Sequence, residues 1–278
     1  MEQMADYIQQ IEINSLWRGR KHVVWKLNRH VNILSGVNGV GKSTILNRLA
    51  KHLSHQSDLD STDDGVTVVF NDEKCNRVRF DVIRSFDSPL ISSELLNKMS
   101  DIRLQSELDF HLYQLQRRYL DYQVNLSNRM LKLFTSGDPN AAKLAEQIGH
   151  EKEHFFNLVD RLFLSTQKKI VRDHNEILFH QHGEVVSPYL LSSGEKQMLI
   201  ILLTVLVENR EPYVLLMDEP EISLHIEWQQ SLIGLVLDLN PQIQIILSTH
   251  SPAVIMDGWA DCVTDVEDII MDSSGCTE

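Results

Sequence analysis

Beyond Arg210 the chain contains neither lysine nor arginine. All 26 basic residues lie at or before that position together with 26 of the 39 acids, so the last 68 residues carry the entire formal charge of −13. A nucleic-acid face built from that segment is disfavoured, because phosphates would be repelled rather than exchanged for counterions. A basic partner could dock there, although a solvated acidic surface accounts for the same composition. Cysteine is scarce as well. The three present, Cys75, Cys262 and Cys276, have no CxxC spacing and an odd count, which excludes a disulfide framework and a zinc knuckle and leaves reduced thiols. Long apolar runs are missing too. The opening "MEQMADYIQQ" has no signal-peptide core, and the longest largely apolar stretch, Met198 to Val207, is about half a bilayer span, so the expectation is a cytoplasmic protein without a membrane partner.

What is there suits a globular α/β protein. With 278 residues and 42% hydrophobic content, the chain can bury one large core, or one core carrying an inserted lobe. "YIQQIEINSL", "HVVWKL" and "VNILS" read as strands, and a glycine loop from Gly36 leads into a helix to about Leu53. A polar linker over 54–65 precedes β-rich "VTVVF" and "RVRFDVI". From about Ser92 the period changes. Leu104, Leu108, Leu112, Leu115, Tyr119, Tyr122, Leu126 and Met130 recur at steps of three and four and share one helical face. "TSGDP" ends that helix, and Leu144, Ile148, Phe155, Val159 and Leu162 mark a returning one. The two predict an antiparallel helical hairpin inserted into the α/β domain, its first helix (Arg103 to Phe134) about 48 Å long at 1.5 Å per residue. "NEILFHQHGEVV" predicts a β-hairpin turning near His182 and Gly183, and after "LSSGEKQ" come helix, strand "YVLLM", helix and strand "IQIIL". The resulting division is a first half-lobe of the α/β domain over 1–90, the insert over 91–166 and a second half-lobe over 167–278.

The chemistry begins in "GVNGVGKST". Gly36, Gly39 and Gly41 let the backbone wrap so that its N–H groups face phosphates, and Lys42 supplies a charge between the β and γ positions. Ser43 can place its hydroxyl on Mg²⁺ while the following helix adds its positive dipole end. Asn38 and Thr44 belong to the same cradle. In "YVLLMDEPE", Val214 to Met217 have the character of a strand buried on both faces, which sets Asp218 at its carboxyl end as a second Mg²⁺ holder. Glu219 is then placed to orient or deprotonate an attacking water, and His250 in "IQIILSTHSP" could reach the γ-phosphate and that water.

In this order "GVNGVGKST", "LSSGEKQ", "LLMDEPEISLH" and "LSTHSP" resemble the ABC-type ATPases, specifically their non-transporter branch of SMC, RecF and OLD-like proteins. The resemblance implies a P-loop head with a mixed or parallel sheet flanked by helices, binding ATP and Mg²⁺ in a sandwich of two subunits. It implies that Ser192 and the backbone at Gly194 cap the γ-phosphate held by a partner copy, that Ser223 and Leu224 lie at the seam, and that Trp17 stacks on adenine; core packing would equally explain Trp17. Ser193 replaces the usual second glycine of the signature. No glutamine follows "RVRFDVI", where Asp87 or Ser88 would have to substitute. Partners implied are a homodimer or higher homo-oligomer and a separate effector, a nuclease among the candidates, in a setting such as anti-phage defence. Because the sequence ends soon after "STHSP", the expectation is an ATPase subunit without the Toprim nuclease of full-length OLD proteins. The alternative is the nucleotide-binding subunit of a transporter, against which the missing glutamine and the "SLH" wording stand.

Two further patterns compete for attention. "HEKEH" (His150 to His154) fits a zinc-protease spacing, but its two middle charges and the lack of a third ligand favour a solvated helix face. "WRGRK" and "QKKIVR" are small basic clusters; surface charge explains each, and a DNA contact stays open if they share a face.

Overall fold

The strand β1 (Ile8–Leu16) buries Ile8, Ile11, Ile13 and Leu16 in a computed structural model that describes residues 4–16, 21–55, 64–83 and 106–272. Side chains on a strand alternate faces, so spacings of three call for irregularities. The register shifts between Ile8 and Gln10 and again between Ile13 and Leu16, which returns all four to the core side. Along the chain follow β2 (Lys21–Lys26), β3 (Val31–Ser35), α1 (Lys42–His55), β4 (Val66–Phe70), β5 (Phe80–Ile83), α2 (Glu107–Thr135) and α3 (Ala141–Leu162). Then come β6 (Lys169–Ile170), β7 (Phe179–Gln181), β8 (Glu184–Val186), α4 (Ser193–Val207), β9 (Val214–Asp218) and α5 (Ile226–Leu239). The last are β10 (Gln244–Ser248), α6 (Pro252–Met256), β11 (Val263–Asp265), α7 (Val266–Ile269) and β12 (Ile270–Asp272).

One sheet, ordered β11-β3-β10-β9-β5, is parallel at every pairing, and a second, ordered β12-β2-β1-β4, is antiparallel. Period-two alternation in the parallel sheet feeds two cores. Leu215, Met217, Ile245 and Leu247 face a core shared with α2, α3, α4 and α5, while Val214, Leu216 and Ile246 face α1 and the antiparallel sheet. A strand buried on both sides has to be apolar throughout, which is why "VLLM" and "IIL" carry no polar residue. Each such aliphatic side chain contributes about 1.5–3 kcal/mol by leaving water. Gln244 is buried yet satisfied: its Oε1 accepts from Ile8 N–H at 2.8 Å, and its Nε2 donates to the Ile8 and Asn28 carbonyls, both at 2.8 Å. That amide ties the start of β1 to β10.

The helices α2 and α3 run antiparallel, because Gln123 accepts from Lys152 Nζ at 2.7 Å while Met130 lies against Gly149. Ser106 caps α2 in a reciprocal box with Asp109. The face from Leu108 to Leu126 is buried as the spacing predicts; Leu104 and Arg103 lie outside the described residues. Leu144 departs from its expected place on the buried face and is 37% exposed, whereas Ala141 and Ala145 beside it are buried, so the covered face here is rotated toward the alanines. Arg118 pins α2 to the sheet by donating twice to Asp81 of β5, each at 2.9 Å, and to Glu208 after α4 at 2.6 Å. His182 and Gly183, both at positive φ, form the two-residue turn between β7 and β8.

Candidate functional site

Three adjacent parallel strands, β3, β10 and β9, deliver their carboxyl ends to one edge of the sheet, the crevice where such sheets hold ligands. Ser248 stands level with Leu34 on one side and Asp218 on the other, so the loops that follow them converge. Gly36 leaves β3 with φ +144°, a conformation closed to ordinary side chains, and a Cβ there would meet Val40 at 3.0 Å. Gly39 and Gly41 are likewise at positive φ, and the chain enters α1 at Lys42. Asn38 and Thr44 are exposed on the same loop and first turn.

The Lys42 ammonium is buried and donates to the carbonyls of Gly36 at 2.9 Å and Val37 at 3.2 Å. Burial draws its pKa below the ordinary lysine value, with Glu219 and Asp218 pulling the other way. It lies 3.5 Å from His250 Nδ1, whose ring reaches Glu219 with Nε2 at 3.3 Å. Ser43 Oγ donates to Asp218 Oδ1 at 2.9 Å, and Ser248 Oγ donates to the same oxygen. Glu219 sits at φ +47° with its N–H on the Ser248 carbonyl at 3.0 Å, an αL backbone that turns its side chain toward His250. Lys42, Ser43, Asp218, Glu219 and His250 are therefore one connected group. Ser43 and Asp218 offer only hard oxygen atoms at 2.9 Å from each other, a donor set that fits Mg²⁺.

Ser192 and Gly194 belong to a different group. Ser192 is the N-cap of α4 and forms a capping box with Glu195. Its N–H and its hydroxyl both donate to Glu195 Oε2 at 2.9 Å, and Glu195 Oε1 takes Lys168 Nζ at 2.8 Å and the Thr166 hydroxyl at 2.7 Å. Burial would raise the Glu195 pKa, but these donors outweigh it and hold the carboxyl below its ordinary range. Gly194 touches the 222–224 turn: a Cβ on it would lie 2.5 Å from the Ser223 carbonyl oxygen. Trp17, Asp87 and Ser88 lie outside the described residues.

Sequence reasoning passed over Lys168, Thr166, Ser248, Gln229 and Glu221. Glu221 is buried, and its Oε1 accepts from the Thr249 hydroxyl and from the N–H groups of His250 at 3.2 Å and Ser251 at 3.3 Å. The second carboxylate in "DEPE" was the available signal. In the cluster "QKKIVR", Lys168 pairs with Glu195 and Arg172 with Asp160, Glu153 and Asn157, while Lys169 is exposed, so local carboxylates neutralise two of its three charges. In "HEKEH", His154 pairs with Asp238 at 2.8 Å and Lys152 lies over the Tyr119 and Phe156 rings. Among the described residues no group of three or more His, Cys, Asp or Glu is placed to hold a metal, and no helix is long and apolar enough to cross a membrane.

The family model described as "AAA domain, putative AbiEii toxin, Type IV TA system" matches residues 71–257, two thirds of the chain. The chain belongs to this AAA-domain family. The match spans the signature turn, Asp218 to Glu221 and the His250 loop, and starts downstream of the glycine loop. This AAA-domain protein is 28% identical to the Retron Vc95 probable ATPase of Vibrio cholerae serotype O1 biovar El Tor, over 44% of its own length and 29% of that relative. The aligned part is thus under a third of that curated relative. Among solved structures, the Smc head bound to the C-winged helix domain of ScpA superposes with a TM-score of 0.53 at 15% identity, covering 90% of this chain and 92% of that one. The SMC head domain from Thermotoga maritima gives 0.46 at 16% identity over 92% of each chain. The fold is accordingly α/β with a parallel sheet and flanking helices, of the kind found in SMC heads.

Proposed function

We infer that the AAA-domain chain binds ATP with Mg²⁺ and hydrolyses it between two copies of itself, acting as a switch for a separate effector or a DNA transaction in a defence setting. The observation that carries this reading is the convergence of Lys42, Ser43, Asp218, Glu219 and His250 on one sheet edge through contacts of 2.9, 3.3 and 3.5 Å. Membership of an ATPase family and the likeness to a probable retron ATPase support hydrolysis. Within the reading, residues 1–90 and 167–278 form the head and 91–166 the insert.

Backbone N–H groups of Gly36 to Ser43, with Asn38 and Thr44 on the rim, would cradle the phosphates while Lys42 exchanges its loop carbonyls for phosphate oxygens. Ser43 and Asp218 would hold Mg²⁺, which when bound offsets charge on the phosphate oxygens. Glu219 would orient or deprotonate the attacking water, and His250, whose Nε2 lies 3.3 Å from Glu219 Oε1, would help to hold that carboxylate and face the γ-phosphate. Ser192 and the α4 N-terminus at Gly194 would cap the γ-phosphate of the partner copy. Trp17 is kept as the adenine-stacking residue.

The test is complementation. Lys42→Ala loses nucleotide binding, Ser192→Arg binds ATP without turnover, and each alone is inactive. Mixed, half of randomly assorted dimers regain one intact site, giving roughly a quarter of wild-type turnover. Full turnover by Ser192→Arg alone, or a mixture as inactive as its parts, would refute the shared site.

A further inference from the structure

The geometry points to Glu221 as a positioning residue that fastens the His250 loop to the 222–224 turn, so that the placement of His250 over Glu219 depends on how that turn is seated. The inference rests on the hydrolytic reading above and assigns a role to a residue outside the glycine loop, signature and metal set.

Glu221 stands where two loops meet. Its own backbone runs directly into Ile222–Leu224, with Ser223 at φ +71°. The Ser223 carbonyl is the group against which Gly194 packs, so this turn registers any displacement of the signature end of α4. The Glu221 side chain points the other way, into the loop after β10. There one carboxylate oxygen takes three donors, the Thr249 hydroxyl and two successive N–H groups, those of His250 and Ser251. Successive N–H groups aimed at one anion fix the backbone at both residues. The His250 ring hangs from that backbone and spans from Glu219 to Lys42.

A second strap runs in parallel. Ser251 Oγ donates to Gln229 Oε1 at 2.6 Å, and Gln229 Nε2 donates to the Leu224 carbonyl at 2.9 Å. Both straps join the same two loops, and among the described residues Glu221 is the side chain that takes hydrogen bonds from Thr249, His250 and Ser251 together. The other carboxylate oxygen, Oε2, is buried without a hydrogen-bond partner among the described residues. An apolar residue would serve the packing at less cost, so the carboxylate is kept for what Oε1 does.

The experiment is a double-mutant cycle on the full chain, using Mg·ATP turnover and binding of a fluorescent ATP analogue. Glu221→Ala should lower kcat on the order of tenfold, as displacement of a catalytic group does, with analogue affinity within about twofold of wild type. In a His250→Ala background the same substitution should change kcat by less than about twofold, because its effect passes through the histidine. Glu221→Gln, which keeps one acceptor but not the charge, should fall between wild type and Glu221→Ala. Should Glu221→Ala fail to fold by thermal melting, Glu221→Gln and Thr249→Val carry the same cycle. Wild-type kcat in these variants, or an equal loss with and without His250, overturns the inference alone. A wild-type chain without turnover, or one whose Lys42→Ala variant still hydrolyses ATP, overturns the hydrolytic reading and this inference with it.

Discussion

Gly194→Ala sets two effects of opposite sign against each other. Alanine in a helix is favoured over glycine by about 0.8–1 kcal/mol, and Gly194 lies in the first turn of α4 without a positive φ. On propensity alone the substitution stabilises. Its Cβ, however, would lie 2.5 Å from the Ser223 carbonyl oxygen and 3.5 Å from the carbonyl carbon. Ordinary contact begins at about 3.4 Å, so roughly 0.9 Å must be opened between two backbone segments that cannot rotate away as a side chain would. Overpacking of that kind costs about 1–3 kcal/mol. The two terms leave a net loss of up to about 2 kcal/mol, or a fall in Tm of up to about 8 °C for a chain of this size. Gly234 supplies the control. It sits exposed in α5, and a Cβ added there would meet nothing within 4 Å, so Gly234→Ala should keep the propensity gain and raise Tm. Scanning calorimetry of the two variants against wild type decides the matter. A Gly194→Ala protein at least as stable as wild type, with Gly234→Ala behaving as expected, would show that the signature and the 222–224 turn are not in close contact.

Lys168→Met strips the buried Glu195 carboxylate of its cation and should cost about 3 kcal/mol at pH 7, read by urea unfolding. In wild type the Glu195 pKa is depressed despite burial, so its contribution is complete above the ordinary carboxylate range and is lost as pH falls through the depressed folded value. In the variant only the Ser192 and Thr166 donors oppose burial, so the carboxyl protonates more readily than in wild type and the gap should narrow toward pH 4; a gap that widens there would refute the assignment. Arg118→Ala leaves Glu208, whose pKa burial and the neighbouring Asp81 already push up, without its counter-charge. A loss of about 2 kcal/mol is expected, less than for a fully buried pair because the guanidinium is partly exposed. Hydrogen exchange should quicken in α2 ahead of β9 and β10; unchanged α2 protection would refute the anchoring role.

How much could be read in advance depended on whether the physics was local. Strand β3 and the glycine loop were legible because a buried strand, a positive-φ turn and a helix start are each written in contiguous residues. The buried face of α2 was legible for the same reason, since 3.6-residue periodicity reports which side is covered. It fails at Leu144, where Ala141 and Ala145 are buried instead, because small alanines do not stand out as a covered face in the hydrophobic pattern. Pairings across sequence were not legible at all. Ile270 opposite Val23, the Gln244 amide on Ile8, and Lys168 on Glu195 join residues whose local context gives no hint of the partner. In "QKKIVR" the sequence displays charge, whereas the fold decides whether that charge meets solvent, phosphate or a carboxylate of its own chain.

The same distinction bears on how tightly the proposed site would hold ATP. Lys42 already donates to two carbonyls, and the single Ser192 hydroxyl proton already lies on Glu195. Binding is then an exchange of hydrogen bonds rather than the satisfaction of unpaired donors. Neutral exchanges are worth only about 0.5–1.5 kcal/mol each, whereas bonds to an ionised acceptor are worth about 1.5–3. Lys42 trades neutral carbonyls for phosphate and gains. Ser192 has to leave one anion for another, with little net gain, and the nearby Glu195 charge is bearable beside a phosphate only because Lys168 balances it. The glycine loop should therefore supply most of the affinity for nucleotide within one chain. In the proposed dimer the signature turn would add little by itself, so closing two copies around ATP would depend on the α4 N-terminus and the surrounding seam more than on the serine hydroxyl.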